Sequence, residues 1–275
     1  MTPLTRFHDA SRREQRDERG IALVIALLAT LVMVAIGSAL ILTATTESRI
    51  TRNFKNSTEA FYAVDAVLER VVEELRAIAD WNLLLGGGAH SAFADGDPNG
   101  ERALADGRAI DLTAVINDLN CRNISGCSDN AMDTITAERP WGANNPRWQP
   151  FAWGYLSGLA PGVIIDSPVY VVAMIADDPS ECDDNPLIDG GAIVSCPPGV
   201  TANPGAGVLA VRAEAFGPFG AHRAVELTIS RVVQEAGSPE LMPSETKAEN
   251  RGDTAGYAVR PGQAGIRILS WREVR

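Results

Sequence analysis

The sequence predicts an α+β protein in which one long N-terminal helix is laid on an antiparallel β-sheet. Three observations predict it. Residues 21–44 (IALVIALLATLVMVAIGSALILTA) carry no charge, and the helical pattern runs on beyond them with no proline until Pro98. That continuation is amphipathic, with its apolar positions three and four residues apart. The last third then breaks into strand-length, β-branched segments. A helix stripe and a sheet face each need an apolar partner, and packing one on the other buries both.

The apolar run is long enough for a membrane. At 1.5 Å per residue it reaches about 36 Å, against a hydrocarbon core of about 30 Å. A cleaved secretory signal is a poorer fit, because its apolar core is about 7–15 residues with an A-x-A-like exit. Here the run is longer and ends Leu42-Thr43-Ala44-Thr45-Thr46. Arg6, Arg12, Arg13, Arg16 and Arg19 precede it, while Arg49, Arg52 and Lys55 follow it. The bias favours a cytoplasmic N-terminus and an exported remainder. An uncleaved signal anchor and a processed helix both satisfy this much.

Phe61, Val64, Leu68, Val71, Val72, Leu75 and Ile78 form the stripe of the second helical half. Glu69, Arg70, Glu73, Glu74 and Arg76 occupy the opposite face, where Arg70 and Glu74 attract at i,i+4. Gly86-Gly87-Gly88 end the helical region.

Residues 81–162 are harder to read. Residues 110–116 suit a short helix or a strand, and Asp95-Gly96-Asp97-Pro98-Asn99-Gly100 is loop chemistry. Trp141, Trp148, Phe151, Trp153 and Tyr155, interleaved with Pro140, Pro146 and Pro150, read as a loop packed over the core. Strands are expected at 163–165, 169–175, 208–215 and 224–231, with Phe216-Gly217-Pro218-Phe219-Gly220 joining the last two as a hairpin. Two of these strands alternate as if one face were wet. Residues 235–265 are rich in Gly, Pro and charge and read as a mobile tail. Residues 266–271 are expected to add an edge strand.

Composition narrows the function. The chain has 275 residues, 45% apolar and 21% charged, so the part beyond the membrane run can bury a core. Its formal charge is −11, and no basic stripe is present to neutralise phosphates, which argues against a nucleic-acid partner. Catalysis finds little support. There is no G-x-S-x-G, H-E-x-x-H or Walker loop, and His8, His90 and His222 suggest no triad, so the reading is not an enzyme and implies no cofactor.

Four cysteines on the proposed exported side fit two disulfides. Sequence order suggests Cys121–Cys127 and Cys182–Cys196, although four cysteines allow three connectivities. Neither spacing is that of a zinc module. Around Cys182, Asp177, Asp178, Glu181, Asp183, Asp184 and Asp189, with Asn185, offer many oxygens to calcium. They lack the order of an EF-hand loop. The preferred expectation is therefore a solvated, disulfide-closed loop with no metal, and a calcium loop is the alternative.

Arg19-Gly20-Ile21-Ala22-Leu23-Val24-Ile25-Ala26-Leu27-Leu28 resembles the N-terminus of the PilX-type minor pilins of type IV pilus assembly. Glu47-Ser48-Arg49-Ile50-Thr51-Arg52-Asn53 and Ala60-Phe61-Tyr62-Ala63-Val64-Asp65-Ala66 resemble their helix by pattern. The resemblance implies a type IV pilin-like fold. It implies a cytoplasmic leader (1–20), then a membrane half (21–44) and an amphipathic half (45–80) of one helix, while the residues beyond read as a head (81–234) and a tail (235–275). It further implies cleavage by a prepilin peptidase between Gly20 and Ile21, N-methylation of Ile21 and packing of the helix into a filament core. Major pilins carry a Glu five residues into the processed chain, and here that place is Ile25. A subunit without this Glu suits a tip or priming position.

The partners so implied are other pilins and minor pilins through residues 21–80, the inner-membrane assembly platform, the peptidase, and a larger tip adhesin. Location follows: inner membrane before assembly, then periplasmic or cell-surface pilus. Two alternatives stand beside this reading. One is a minor pseudopilin of the K type in type II secretion, and the other a signal-anchored envelope protein whose head binds a ligand.

Overall fold

The computed structural model describes residues 8–160, 162–192, 196, 205–232 and 265–274, with side chains from Gly20 onward. Helix α1 spans His8–Ala77. The chain divides into a first unit, residues 1–55, and a second, residues 56–275. The 235–264 part of the expected mobile tail lies outside the described residues.

In the second unit, α1 buries the stripe read from the sequence. Ala60, Ala63, Val64, Val67, Val71 and Leu75 are fully enclosed and Leu68 nearly so. Phe61 and Ile78 pack at the margin. The helix ends where its carbonyls find outside partners. Arg231 donates to the Ile78 carbonyl (2.9 Å) and to that of Ala79, and its guanidinium lies 4.1 Å from the centre of the Trp81 ring. Trp81 Nε1 donates to the Leu75 carbonyl at 3.3 Å. These bonds satisfy acceptors that a helix C-terminus leaves open, and the guanidinium opposes the negative end of the helix dipole. The short α2 (Asn82–Leu85) follows and stops at Gly86.

The stripe lies on a five-stranded antiparallel meander. The strands are β3 (Gln149–Tyr155), β4 (Tyr170–Asp177), β5 (Val208–Phe216), β6 (His222–Val232) and β7 (Gly265–Val274), neighbours in that order. Val171, Ala173 and Ile175 of β4, Leu209, Val211 and Ala213 of β5, and Val225 and Leu227 of β6 form one core with the helix. The β5–β6 turn is closed by Gly217 N donating to Ala221 O at 2.7 Å. Strand β7 pairs from Gly265↔Val232 to Val274↔Ala224, so the expected edge strand is present and longer than expected.

The sheet has a second covered face. Tyr170, Val172, Met174 and Ala176 of β4 pack with Trp148, Trp153, Leu104 and Leu112. The cover is the hairpin β1 (Glu101–Ala103) and β2 (Ala109–Asp111) with helix α3 (Leu112–Cys121), and the single turn α4 (Asp129–Met132) lies against α3. Residues 110–116 therefore divide between strand and helix. Asp111 makes the junction by accepting from Thr113 N at 2.9 Å, an N-cap. Buried Arg139 binds this layer together by donating to the carbonyls of Leu119 (3.0 Å), Met132 (3.2 Å) and Pro146 (2.9 Å). Asn120 and Trp148 exchange two bonds, of 3.1 and 2.7 Å.

Two expectations are corrected. Residues 163–165 are not a strand, and Ile164 is 97% exposed. Only the first part of the aromatic and proline segment, up to Trp148, is loop; Gln149–Tyr155 is strand β3, whose register shifts between Pro150 and Ala152. That bulge breaks the two-residue alternation, so Phe151 and Ala152 both join the helix-side core while Trp153 faces the other layer. The outer edge of β3 is not left open. Ser91 N donates to Phe151 O (2.7 Å), Trp153 N to Phe93 O (3.0 Å) and Asp95 N to Trp153 O (2.9 Å).

Leu75 should be among the residues on which the head depends most. Leu75→Ala is expected to lower the unfolding free energy by about 2–5 kcal/mol, measured by urea denaturation of the head. Leu83→Ala, at a side chain 57% exposed, should change it by less than about 0.5 kcal/mol.

Candidate functional site

Residues 21–44 of the first unit present an uncharged, largely apolar surface. From Gly20 to Lys55 every residue is exposed except the half-exposed Gly37. Ile21, Leu23, Val24, Ile25, Leu27, Leu28 and Leu31 are each more than half accessible. So large an apolar surface marks contact with lipid or with other protein. Among the described residues this is the one helix long and apolar enough to cross a membrane.

Its few polar side chains are paired within the helix. Thr30 donates to Leu27 O (2.9 Å), Ser38 to Ala35 O (2.9 Å) and Thr43 to Ala39 O (3.0 Å). These are the hydroxyls of the 21–44 run, and none is left to seek a partner in an apolar medium. The Gly20–Ile21 bond lies inside α1 with both residues exposed. Ile25 is 60% exposed on the same run.

A second constellation sits at the end of β4. Asp177, the last residue of that strand, comes together with Glu181 and Asp183. One carboxylate oxygen from each lies within 4.8 Å of the others. The expected solvated loop is corrected here, since the three residues are only 1, 5 and 5% exposed. Burial first, then the charges of Glu181 and Asp183, push the Asp177 carboxyl up to about 9. Burial and then Asp183 push Glu181 up to about 8.

The other acids of the loop are engaged elsewhere. Asp178 accepts from Ser180 Oγ (2.6 Å) and N (3.1 Å), and Asp189 accepts from Gly207 N (2.6 Å). Asp184 is exposed and holds a left-handed backbone at φ 56°. Asn185 donates its backbone N–H to Asp183 at 3.0 Å. Sequence reading grouped these acids by proximity along the chain. Which of them share a pocket depends on the return of residues 190–191 and 205, a long-range feature. The nearest sequence signal was the pair Gly190-Gly191 after the acidic stretch.

The cysteines are joined Cys121–Cys127 and Cys182–Cys196, with Cα atoms 5.9 and 5.0 Å apart. The second bridge falls between Glu181 and Asp183 in sequence and so restrains both. The first ties the last residue of α3 to the loop after it.

A long apolar N-terminal helix followed by an antiparallel sheet is the architecture of a type IV pilin, a structural class of protein. Residues 19–69 match the family model described as PilX N-terminal, so this segment of the chain is similar to the N-terminal part of that family. The match takes in each of the segments 19–28, 47–53 and 60–66. No curated protein and no solved structure matches the chain.

Removing a bridge should cost stability in proportion to the loop it closes. Replacing Cys182 and Cys196 by Ser is expected to lower the unfolding free energy by about 3 kcal/mol. The same change at Cys121 and Cys127, a shorter loop, should cost about 2 kcal/mol. Thermal unfolding with and without reductant checks both, and intact mass after alkylation should count no free thiols before reduction.

Proposed function

We propose that the chain is a minor type IV pilin that primes or tips pilus assembly. In this reading it is inserted through residues 21–44 with its N-terminus in the cytoplasm, cleaved between Gly20 and Ile21, and methylated on Ile21. The exposed apolar helix from Ile21 onward then enters the filament core beside other pilins, drawn from the membrane by the assembly platform.

The observation that carries the tip or priming role is Ile25. An isolated charge in a bilayer costs at least about 2.5–3.5 kcal/mol on insertion scales. A methylated N-terminal amine is such a charge, and a Glu at this place in the next subunit would neutralise it. Ile25 offers no carboxylate. This subunit is therefore suited to a place with no earlier subunit's amine to neutralise. Its head would then be free to contact a surface or to carry a larger tip adhesin.

The same feature fits a minor pseudopilin of type II secretion, which is the second reading. One strain separates the two. Deleting the gene should reduce sheared surface filaments about tenfold or more. In the wild type the chain should be found in those filaments far below the amount of the major pilin. Normal piliation with lost secretion of folded enzymes would move the chain to the secretion system. Stoichiometry equal to the major subunit would contradict the tip role.

A further inference from the structure

We propose that Asp177, Glu181 and Asp183 form a binding site for one divalent cation of the calcium class. The inference does not depend on the pilin reading. It rests on three things: the convergence of the carboxylates, what their oxygens lack, and how the backbone makes room for them.

The three groups converge without a counter-charge. No ion pair among the described residues reaches any of them. Three carboxylates held this close and this far from water repel one another, and burial removes the solvent that would screen them. Something must neutralise them, and protons or a cation can do so.

The hydrogen bonding points to the cation. Asp183 already accepts from Asn185 N and Gly191 N, each at 3.0 Å, and Glu181 Oε2 accepts from Gly190 N at 3.2 Å. Both oxygens of Asp177 and Oε1 of Glu181 are buried and make no hydrogen bond of normal geometry; the Asp178 N–H acts on Asp177 only from outside that geometry. A protonated carboxyl is itself a donor, yet among the described residues no hydrogen bond joins one of these carboxyls to another. Buried polar atoms are rarely left unpaired, and those that are call for a specific explanation. Three carboxylates whose oxygens lie within 4.8 Å of one another, two of them with buried unpaired oxygens, form a donor set for a metal ion.

The backbone is shaped around these side chains. A Cβ on Gly191 would collide with Asp183 Oδ2, and one on Gly205, at φ +66°, would overlap the Glu181 carboxylate. Two returning segments thus come close enough to seat the carboxylates only because they are glycine. The frame is stiff as well. Asp177 is paired to Leu209 within the sheet, and Cys182 between the other two ligands is bridged to Cys196.

The donor set selects the ion. All ligands are oxygen, which excludes a preference for zinc or copper. Three carboxylates supply up to six oxygens, enough for the 6–8 that calcium takes at 2.3–2.6 Å. Magnesium holds on to its waters and demands a near-ideal octahedron, so a dry, carboxylate-lined pocket suits it less well.

The test is calorimetric titration and thermal unfolding of the full chain in detergent after treatment with a chelator. Calcium chloride at about 1 mM should bind at one ion per chain and raise Tm by about 5 °C or more. Chelator should reverse the rise, and magnesium at the same concentration should give at most a fraction of it. Asp177→Asn should lose calcium affinity by tenfold or more. It should still fold, because an amide fills the same space and carries no charge that must be neutralised, and its Tm in chelator should be no lower than the wild type's. Asp184→Asn, in the same loop but exposed, should respond to calcium like the wild type. No heat and no Tm shift in the wild type would overturn the proposal and leave the carboxyls neutralised by protons. So would a calcium response that survives in an Asp177→Asn, Glu181→Gln double variant. A magnesium response equal to calcium's would overturn the choice of ion.

Discussion

The burial of one stripe of α1, from Ala60 to Leu75, against the sheet is the interaction on which the rest of the head is built. Val64, Val67, Val71 and Leu75 are closed off by side chains from β4, β5 and β6, and among the described residues no other helix of comparable length covers that face. The same helix carries exposed apolar residues before Asn56. One continuous element therefore answers to two environments, and its sequence changes at the boundary from apolar all round to apolar on one side. Arg231 and Trp81 matter for this reason. They hold the end of the helix to the sheet and satisfy carbonyls at and just beyond its last turn.

The second constraint comes from β4, which is buried along its whole length. A strand with two dry faces needs two covers, and α1 supplies only one. The β1–β2 hairpin and α3 supply the other, held down by Arg139, by the exchange between Asn120 and Trp148, and by Tyr155 Oη donating to Ala103 O at 2.6 Å. The bulge in β3 lets one aromatic segment serve both cores, with Phe151 toward the helix and Trp153 toward the outer layer. Asp177 ends β4 and inherits its burial. That is why a carboxylate in a loop-rich stretch is withdrawn from water, whereas Asp184, a few residues on, is not.

The parts legible in the sequence were those with a local, periodic signal. The stripe from Phe61 to Ile78, the β5–β6 hairpin around Gly217 and the β7 edge strand each follow from residues within one window. The second layer was not legible, because the residues that cover β4 lie far from it in sequence and two of its strands have three residues each. A signal was nevertheless present. Val169 to Ala176 is an unbroken apolar run, not an alternating one, and such a run belongs to a strand covered on both faces. The short β-branched segment 163–165 misled for the converse reason, since propensity without a pairing partner does not make a strand. In the acidic loop, residue type identified the chemistry, but only the fold separates Asp177, Glu181 and Asp183 from Asp178, Asp184 and Asp189.

The central claim is that α1 is a pilin helix, released from a leader and then used in assembly. Intact-mass and N-terminal analysis of the membrane-extracted chain, from cells with and without an active prepilin peptidase, tests it most directly. The account predicts a peptidase-dependent start at Ile21 bearing one added methyl group. A start at Met1 or Thr2 in both strains would contradict it and make the helix a permanent anchor.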